Sequence, residues 1–170
     1  MKKIIRKMSV LVLFIAMGFI LYFSPYIALH NLFSALENNN TATVNKFINY
    51  KTVEENIFIR YQKNMFGDLK TSDLPEDKAV KKKIMEDAIR YGIDVLIEPD
   101  NVIVLLNALR LEKTPSGLNI VPIYEYKDFN TFSVKLSFDG KEQELIFKRT
   151  SFIIWQINDI IFPTDFNAIE

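Results

Sequence analysis

Sixteen consecutive residues, Met8 to Phe23 (MSVLVLFIAMGFILYF), carry no charge, and the residues before them hold Lys2, Lys3, Arg6 and Lys7 with no acid. An apolar run behind a basic cluster is directed to a membrane. At about 1.5 Å per helical residue the run covers about 24 Å, short of the roughly 30 Å hydrocarbon core. Counting Ile4 and Ile5, with Arg6 and Lys7 snorkelling back to the headgroups, restores about 20 residues and a full span. Two outcomes share this pattern. In one, residues 1–23 remain as a membrane anchor, with Tyr22 at the far interface and residues 24–170 forming an exported domain. In the other, a signal peptide is cleaved after Gly18, where Ala16-Met17-Gly18 supplies the small residues that a peptidase needs. The uncleaved anchor is preferred because the apolar stretch continues five residues past that site. The positive-inside rule then predicts a single-pass protein of the inner (cytoplasmic) membrane, its N-terminus cytoplasmic and its C-terminal domain periplasmic or extracellular.

Charge and residue inventory exclude several functions. The chain carries 21 basic and 21 acidic groups, and without residues 1–23 the remainder keeps 17 basic against 21 acidic, a net of −4. Phosphate neutralisation therefore does not drive it to nucleic acid, and its charge does not hold it on anionic lipid. With no cysteine there is no disulfide, thiolate nucleophile, cysteine zinc site or lipid-bearing cysteine.

Beyond the anchor the pattern predicts helices first and strands afterwards. Ser24-Pro25 reads as a cap and first-turn proline that start a new helix, with Ala28, Leu29, Leu32, Phe33, Ala35 and Leu36 on its apolar face and Asn38 to Asn40 as its stop. Thr41 is the expected cap of a short second helix, and Thr52 with Glu55 forms a capping box for a third. Gly67 to Lys78 is a polar surface loop. From Ala79 to Ile97, Val80, Ile84, Ala88, Tyr91 and Val95 recur on one helical face, which is expected to pack inward. Lys81, Lys82 and Lys83 pair at i,i+4 with Asp77, Glu86 and Asp87, the pattern of a solvated face rather than a binding patch. Pro99 opens a further helix with Asp100 in its first turn, and its run Val102 to Leu106 is core.

After Thr114 to Gly117 the period changes to two. Phe132, Val134, Leu136 and Phe138 share one strand face, opposite a wet face that includes Ser133. Asp139-Gly140 signals a hairpin, and Lys141 to Arg149 returns with Leu145 and Phe147 inward. Phe152 to Ile161 is a near-continuous apolar strand, central or covered by helices, and Leu118 to Tyr126 is an edge strand limited by Pro122. The expected fold class is α+β: an N-terminal transmembrane helix, then a helical layer on a C-terminal antiparallel meander of three or four strands, with Trp155 and Phe147 sharing a core with Leu32 and Ile84.

Ser24-Pro25-Tyr26 directly after a hydrophobic helix, Ala28-Leu29, Leu32, Ala35-Leu36, Ile48-Asn49-Tyr50, Val53, Glu98-Pro99, Trp155-Gln156-Ile157 and Phe162-Pro163 together resemble the bacterial family filed as domain of unknown function 2939. The resemblance implies an exported, membrane-associated domain and carries over no catalytic residue. Helices followed by a sheet ending in tryptophan also resemble nuclear-transport-factor-2-like cones, an analogy of fold that says nothing about function.

No catalytic constellation emerges. His30 is the single histidine, Asp94, Glu98 and Asp100 sit where helix ends favour carboxylates, and Trp155 at strand spacing is core. No catalytic, cofactor-binding or metal-binding residue is assigned, and no cofactor is expected. The favoured function is a non-enzymatic envelope module that meets the bilayer through its anchor and binds an envelope protein or small apolar ligand. The alternative is a carboxylate-dependent hydrolase or isomerase with a cone-shaped pocket, which would require converging buried acids.

Overall fold

The computed structural model describes residues 2–67, 75–110, 122–138 and 141–162. The Asp139-Gly140 turn, the Thr114 to Gly117 break, Leu118 to Val121, Pro163 and residues 68–74 of the polar loop lie outside them. The architecture is α+β, an apolar helix and a helical layer against a four-stranded antiparallel sheet.

Helix α1 runs unbroken from Lys2 to Glu37, 36 residues, or about 54 Å. No new helix starts at Ser24, and Pro25 lies inside α1. A proline in a helix removes the N–H that would bond the carbonyl four residues back, here that of Leu21. The Ser24 hydroxyl donates to that same carbonyl at 2.8 Å, which repairs the gap and lets the helix continue. The helix stops at the asparagine run as expected: Asn39 takes a left-handed φ of 51°, and the Asn40 N–H returns to the Ala35 carbonyl at 2.8 Å.

The next two helix starts use caps other than the expected threonines. Helix α2 (Thr41–Val44) is capped by Asn40, whose side chain accepts from the Thr43 N–H. A single 3₁₀ turn, Asn45–Phe47, leads on to α3 (Tyr50–Phe66), which is capped by Asn49 accepting from the Thr52 N–H. The expected Thr52/Glu55 box therefore lies inside the first turn. Asn49 wins because its own N–H donates to the Ile157 carbonyl at 2.9 Å, which fixes the helix start against the sheet.

Helix α4 (Glu76–Leu96) corrects the expected inward face. Val80, Ile84, Ala88, Tyr91 and Val95 all point outward, Ile84 at 62% exposure and Tyr91 at 71%, while Lys82 and Ile93 are buried. The face turned to α3 is largely polar, with Lys82 near Glu86 and over the Phe66 ring, Gln62 donating to Glu86, and Arg90 over the Phe58 ring at 4.0 Å. Charge pairing and cation–π contacts with α3 thus set the rotation of α4 against its apolar periodicity. The Lys82–Glu86 pair forms as expected, but Lys82 is buried and Glu86 half-buried rather than solvated. Helix α5 (Pro99–Arg110) opens at Pro99 and buries Val102 and Leu106 while exposing Val104.

Strands β1 (Ile123–Asp128), β2 (Thr131–Phe138), β3 (Lys141–Arg149) and β4 (Trp155–Ile161) form a meander in that order. β1 occupies an edge, as expected, but it begins after Pro122 and runs two residues past the expected end at Tyr126. Phe132 pairs with Phe147, which pairs with Ile157, and Val134 pairs with Leu145, which pairs with Ile160. A bulge at Asn158 shifts the alternation, so Trp155, Ile157 and Ile160 all face the core although their spacing breaks period two. β4 begins later than expected, leaving Phe152, Ile153 and Ile154 exposed in the turn before it. Ser133, expected on a wet face, is buried between its partners Glu125 and Ile146, both longer side chains.

Although β4 ends the strand order, its outer edge is covered. Ile48 bridges Ile157, Asn56 donates to the Asn158 carbonyl, and Arg60 donates to the Ile160 carbonyl while pairing with Asp159. Edge carbonyls that would otherwise recruit another strand are thus closed by α3 side chains. Trp155, Phe132, Phe147, Leu32, Ile57 and Leu106 are the largest fully buried side chains of a single core.

Trp155→Ala removes the largest of these and should cost about 3 to 5 kcal/mol, whereas Ile84→Ser on the outward face of α4 should stay within about 0.5 kcal/mol. Urea denaturation of the full chain in detergent micelles measures both.

Candidate functional site

The most elaborate polar arrangement lies where α1 meets the end of the sheet. The indole N–H of Trp155 donates to the Ser24 hydroxyl at 2.7 Å, and that hydroxyl donates onward to the Leu21 carbonyl. Arg149 reaches the same carbonyl from the other side at 3.3 Å. Tyr126 donates to the neighbouring Tyr22 carbonyl. The carbonyls of Leu21 and Tyr22, four and three residues before the proline, thus receive three donors, two of them from strands more than a hundred residues away in sequence.

Arg149 is the centre of this junction. Its guanidinium stacks 4.5 Å from the Trp155 ring and 4.4 Å from the Phe129 ring. It also donates to the carbonyls of Phe152 at 2.7 Å and Phe129 at 3.2 Å. One planar cation therefore joins α1 to the β1–β2 turn and to the turn before β4, a geometry that lysine's single ammonium does not supply. Burial raises the Tyr126 phenol above its ordinary pKa, with Arg149 opposing the shift, so the hydroxyl stays a donor at neutral pH.

Two apolar grooves flank the junction. One of about 430 Å³ lies between Ile20, Ser24 and Ile27 of α1 and Phe47, Ile153 and Ile154. The other, of about 330 Å³, lies between Gly18, Leu21 and Tyr22 and Phe129 and Arg149. A third, polar cleft between α3 and α4 is lined by Gln62 and Glu86, which pair with each other, and by Arg90, which pairs with Glu54 outside the lining.

The residues weighed for chemistry are scattered. His30, Asp94, Glu98 and Asp100 are all exposed, and among the described residues no group of three histidine or carboxylate side chains could hold a metal ion. The buried polar residues described are Ser24, Lys82 and Ser133. On the outer face of the sheet Glu125 sits between Lys127 at 2.8 Å and Lys135 at 2.9 Å, and Lys127 also meets Glu144. Hydrogen bonds from Lys127 and then Lys135 hold the Glu125 carboxyl down to about 2.

Residues 12–105, over half of the chain, match the family described as protein of unknown function (DUF2939). The chain belongs to this family. Comparison with curated proteins and with solved structures gives no match. The DUF2939 match covers the second part of the apolar run, the Ser24-Pro25 step and the helices into α5. It ends before the sheet, so Trp155-Gln156-Ile157, although quoted for the resemblance, lies outside it. In this DUF2939 protein sequence reasoning placed Trp155 in the core but missed Arg149, Tyr126 and the role of Ser24. The signal available for them was a serine-proline step inside an apolar helix, which announces an orphaned carbonyl in need of donors.

Ser24→Ala should leave the buried indole N–H without an acceptor and cost about 1 to 3 kcal/mol, read as a lowered urea midpoint of the full chain. The folded Glu125 value lies below its unfolded value of 4.5, so its contribution to stability is present above about pH 4.5 and disappears as the pH falls through about 2. Glu125→Gln should therefore flatten the dependence of the urea midpoint on pH across that window.

Proposed function

We propose that this DUF2939 protein is a membrane-tethered, non-enzymatic binding module, with residues 1–23 as the retained anchor and residues 24–170 as an exported domain at the cell envelope. Two features support the tether. Met8 to Phe23 is uncharged behind four basic residues, and α1 is long and apolar enough to cross a bilayer, most of its apolar side chains being exposed. The helix also passes without a break into the domain, so anchor and core share one element.

The observation that carries the binding function is the outward stripe of α4. Val80, Ile84, Tyr91 and Val95 are exposed at helical spacing while the polar side of the same helix is engaged by α3. An apolar helical face of this kind is suited to another protein's apolar surface. The carboxylate-enzyme alternative has no such support: the sheet's inner face is filled by aromatic and aliphatic side chains, and no described buried residue is an acid.

The test is a photo-crosslinking amino acid placed at Ile84 or Tyr91, with Lys63 as a control, in intact cells. Adducts of higher mass are expected from the first two positions and absent from the third, and Ile84→Asp should remove the adduct at Tyr91 while leaving the protein folded. Equal labelling at all three positions, or only intramolecular products, would refute the partner face. The tether is checked on the same material by intact mass. An N-terminus preceding Phe19, in a fraction that resists alkaline extraction, is expected, and one beginning at Phe19 would replace the anchor with a cleaved signal.

A further inference from the structure

From the arrangement at the base of the domain we infer a second membrane contact: the β1–β2 turn at Phe129 and the turn Phe152–Ile154 dip into the lipid bilayer beside α1. This rests on the proposal that α1 is a membrane anchor and adds a site that the anchor alone does not imply. Three observations carry it.

The first is exposure. Phe129 is 65% exposed, and Phe152, Ile153 and Ile154 are each at least half exposed. They are contributed by two turns that Arg149 binds together by donating to the Phe129 and Phe152 carbonyls. Large apolar side chains gathered at turn tips in this way mark a contact surface rather than a fold requirement.

The second is level along the helix. Phe129 shares a groove with Gly18 and Leu21, and Ile153 and Ile154 share one with Ile20 and Ile27. The first turn therefore lies beside the apolar run ending at Phe23, and the second straddles the end of that run.

The third is span length. Met8 to Phe23 alone is about 24 Å, and counting Ile4 and Ile5 completes the roughly 30 Å span, which then ends at Phe23. Measured from Phe23, Gly18 and Ile20 lie about 5 to 8 Å inside the far edge of the hydrocarbon, a range that overlaps the roughly 5 to 10 Å at which interfacial apolar groups settle. A helix placed at that depth carries the two turns in with it. The attraction is apolar rather than electrostatic, in keeping with the acidic balance of the domain. It therefore needs no anionic lipid.

The absence of cysteine gives a direct test. Phe129→Cys, Ile154→Cys, Leu13→Cys and Lys81→Cys in the full chain are each labelled with an environment-sensitive fluorophore and reconstituted into phosphatidylcholine vesicles, with Trp155 emission reporting that each variant is folded. Labels at 129 and 154 should show blue-shifted emission, quenching by spin-labelled phosphatidylcholine and protection from aqueous iodide, as at 13, while the label at 81 on α4 should remain aqueous. If 129 and 154 behave like 81 while 13 is in lipid, the anchor stands and the second contact is overturned. If 13 is aqueous too, the anchor falls and the contact with it. Protection from both iodide and the lipid-borne quencher at 154 would mean a protein surface, such as a second copy, covers the turn, which also overturns the proposal.

Discussion

A proline in the interior of α1 creates a debt of one hydrogen bond, and the way it is settled organises the molecule. Pro25 leaves the Leu21 carbonyl without its helical partner. The donors that take its place are Ser24, from within the helix, and Arg149, from the end of β3. Ser24 in turn satisfies the buried indole N–H of Trp155. Without an acceptor there, the largest side chain of the core would bury an unpaired donor. Without Pro25, the Leu21 carbonyl would already be engaged and the strand residues would have less reason to converge on it. Helix, core and turns are thus joined through one backbone oxygen.

The sheet shows a related economy at its opposite edge. β4 should be vulnerable as the last strand of a meander, yet its outer carbonyls are met by Asn56, Arg60 and the Asn49 N–H. The same contacts fix where α3 begins. The bulge at Asn158 lets a strand with apolar residues at uneven spacing place Trp155, Ile157 and Ile160 on one side. Edge protection, helix start and core filling follow from a single stretch of β4.

Much of this was legible in the sequence where the signal was local. The uncharged run, the asparagine stop, the proline opening α5 and the alternation of Phe132, Val134 and Leu136 each depend on near neighbours. So do the meander and its edge strand after Pro122. The misreadings came from interactions between distant segments. Asn49 displaced Thr52 as a cap because Ile157, over a hundred residues on, holds its N–H. α4 turned its apolar side outward because Lys82 and Arg90 found aromatic and acidic partners on α3, and periodicity has no means of weighing those contacts. The helix boundary assigned to Ser24-Pro25 failed for the opposite reason: the local rule was sound, but the serine's repair of the missing bond outweighed it. Arg149 was the least visible of the junction residues, since nothing near it in sequence marks the carbonyls that it serves.

The unbroken course of α1 from Lys2 to Glu37 has a mechanical consequence. A domain joined to its anchor by a flexible linker could roll and lift, sampling many orientations over the surface. Here the final turns of the apolar helix are also the first core helix of the domain, and Arg149 and Tyr126 clamp them against twisting. If the helix serves as the proposed anchor, azimuth and height are therefore set together, as on a rigid mast rather than a rope. For a tethered chain the outward stripe of α4 would then be carried at one fixed distance from the bilayer, and a partner held in the same membrane would need its matching surface at that distance, a geometric filter acting before any side chain is compared.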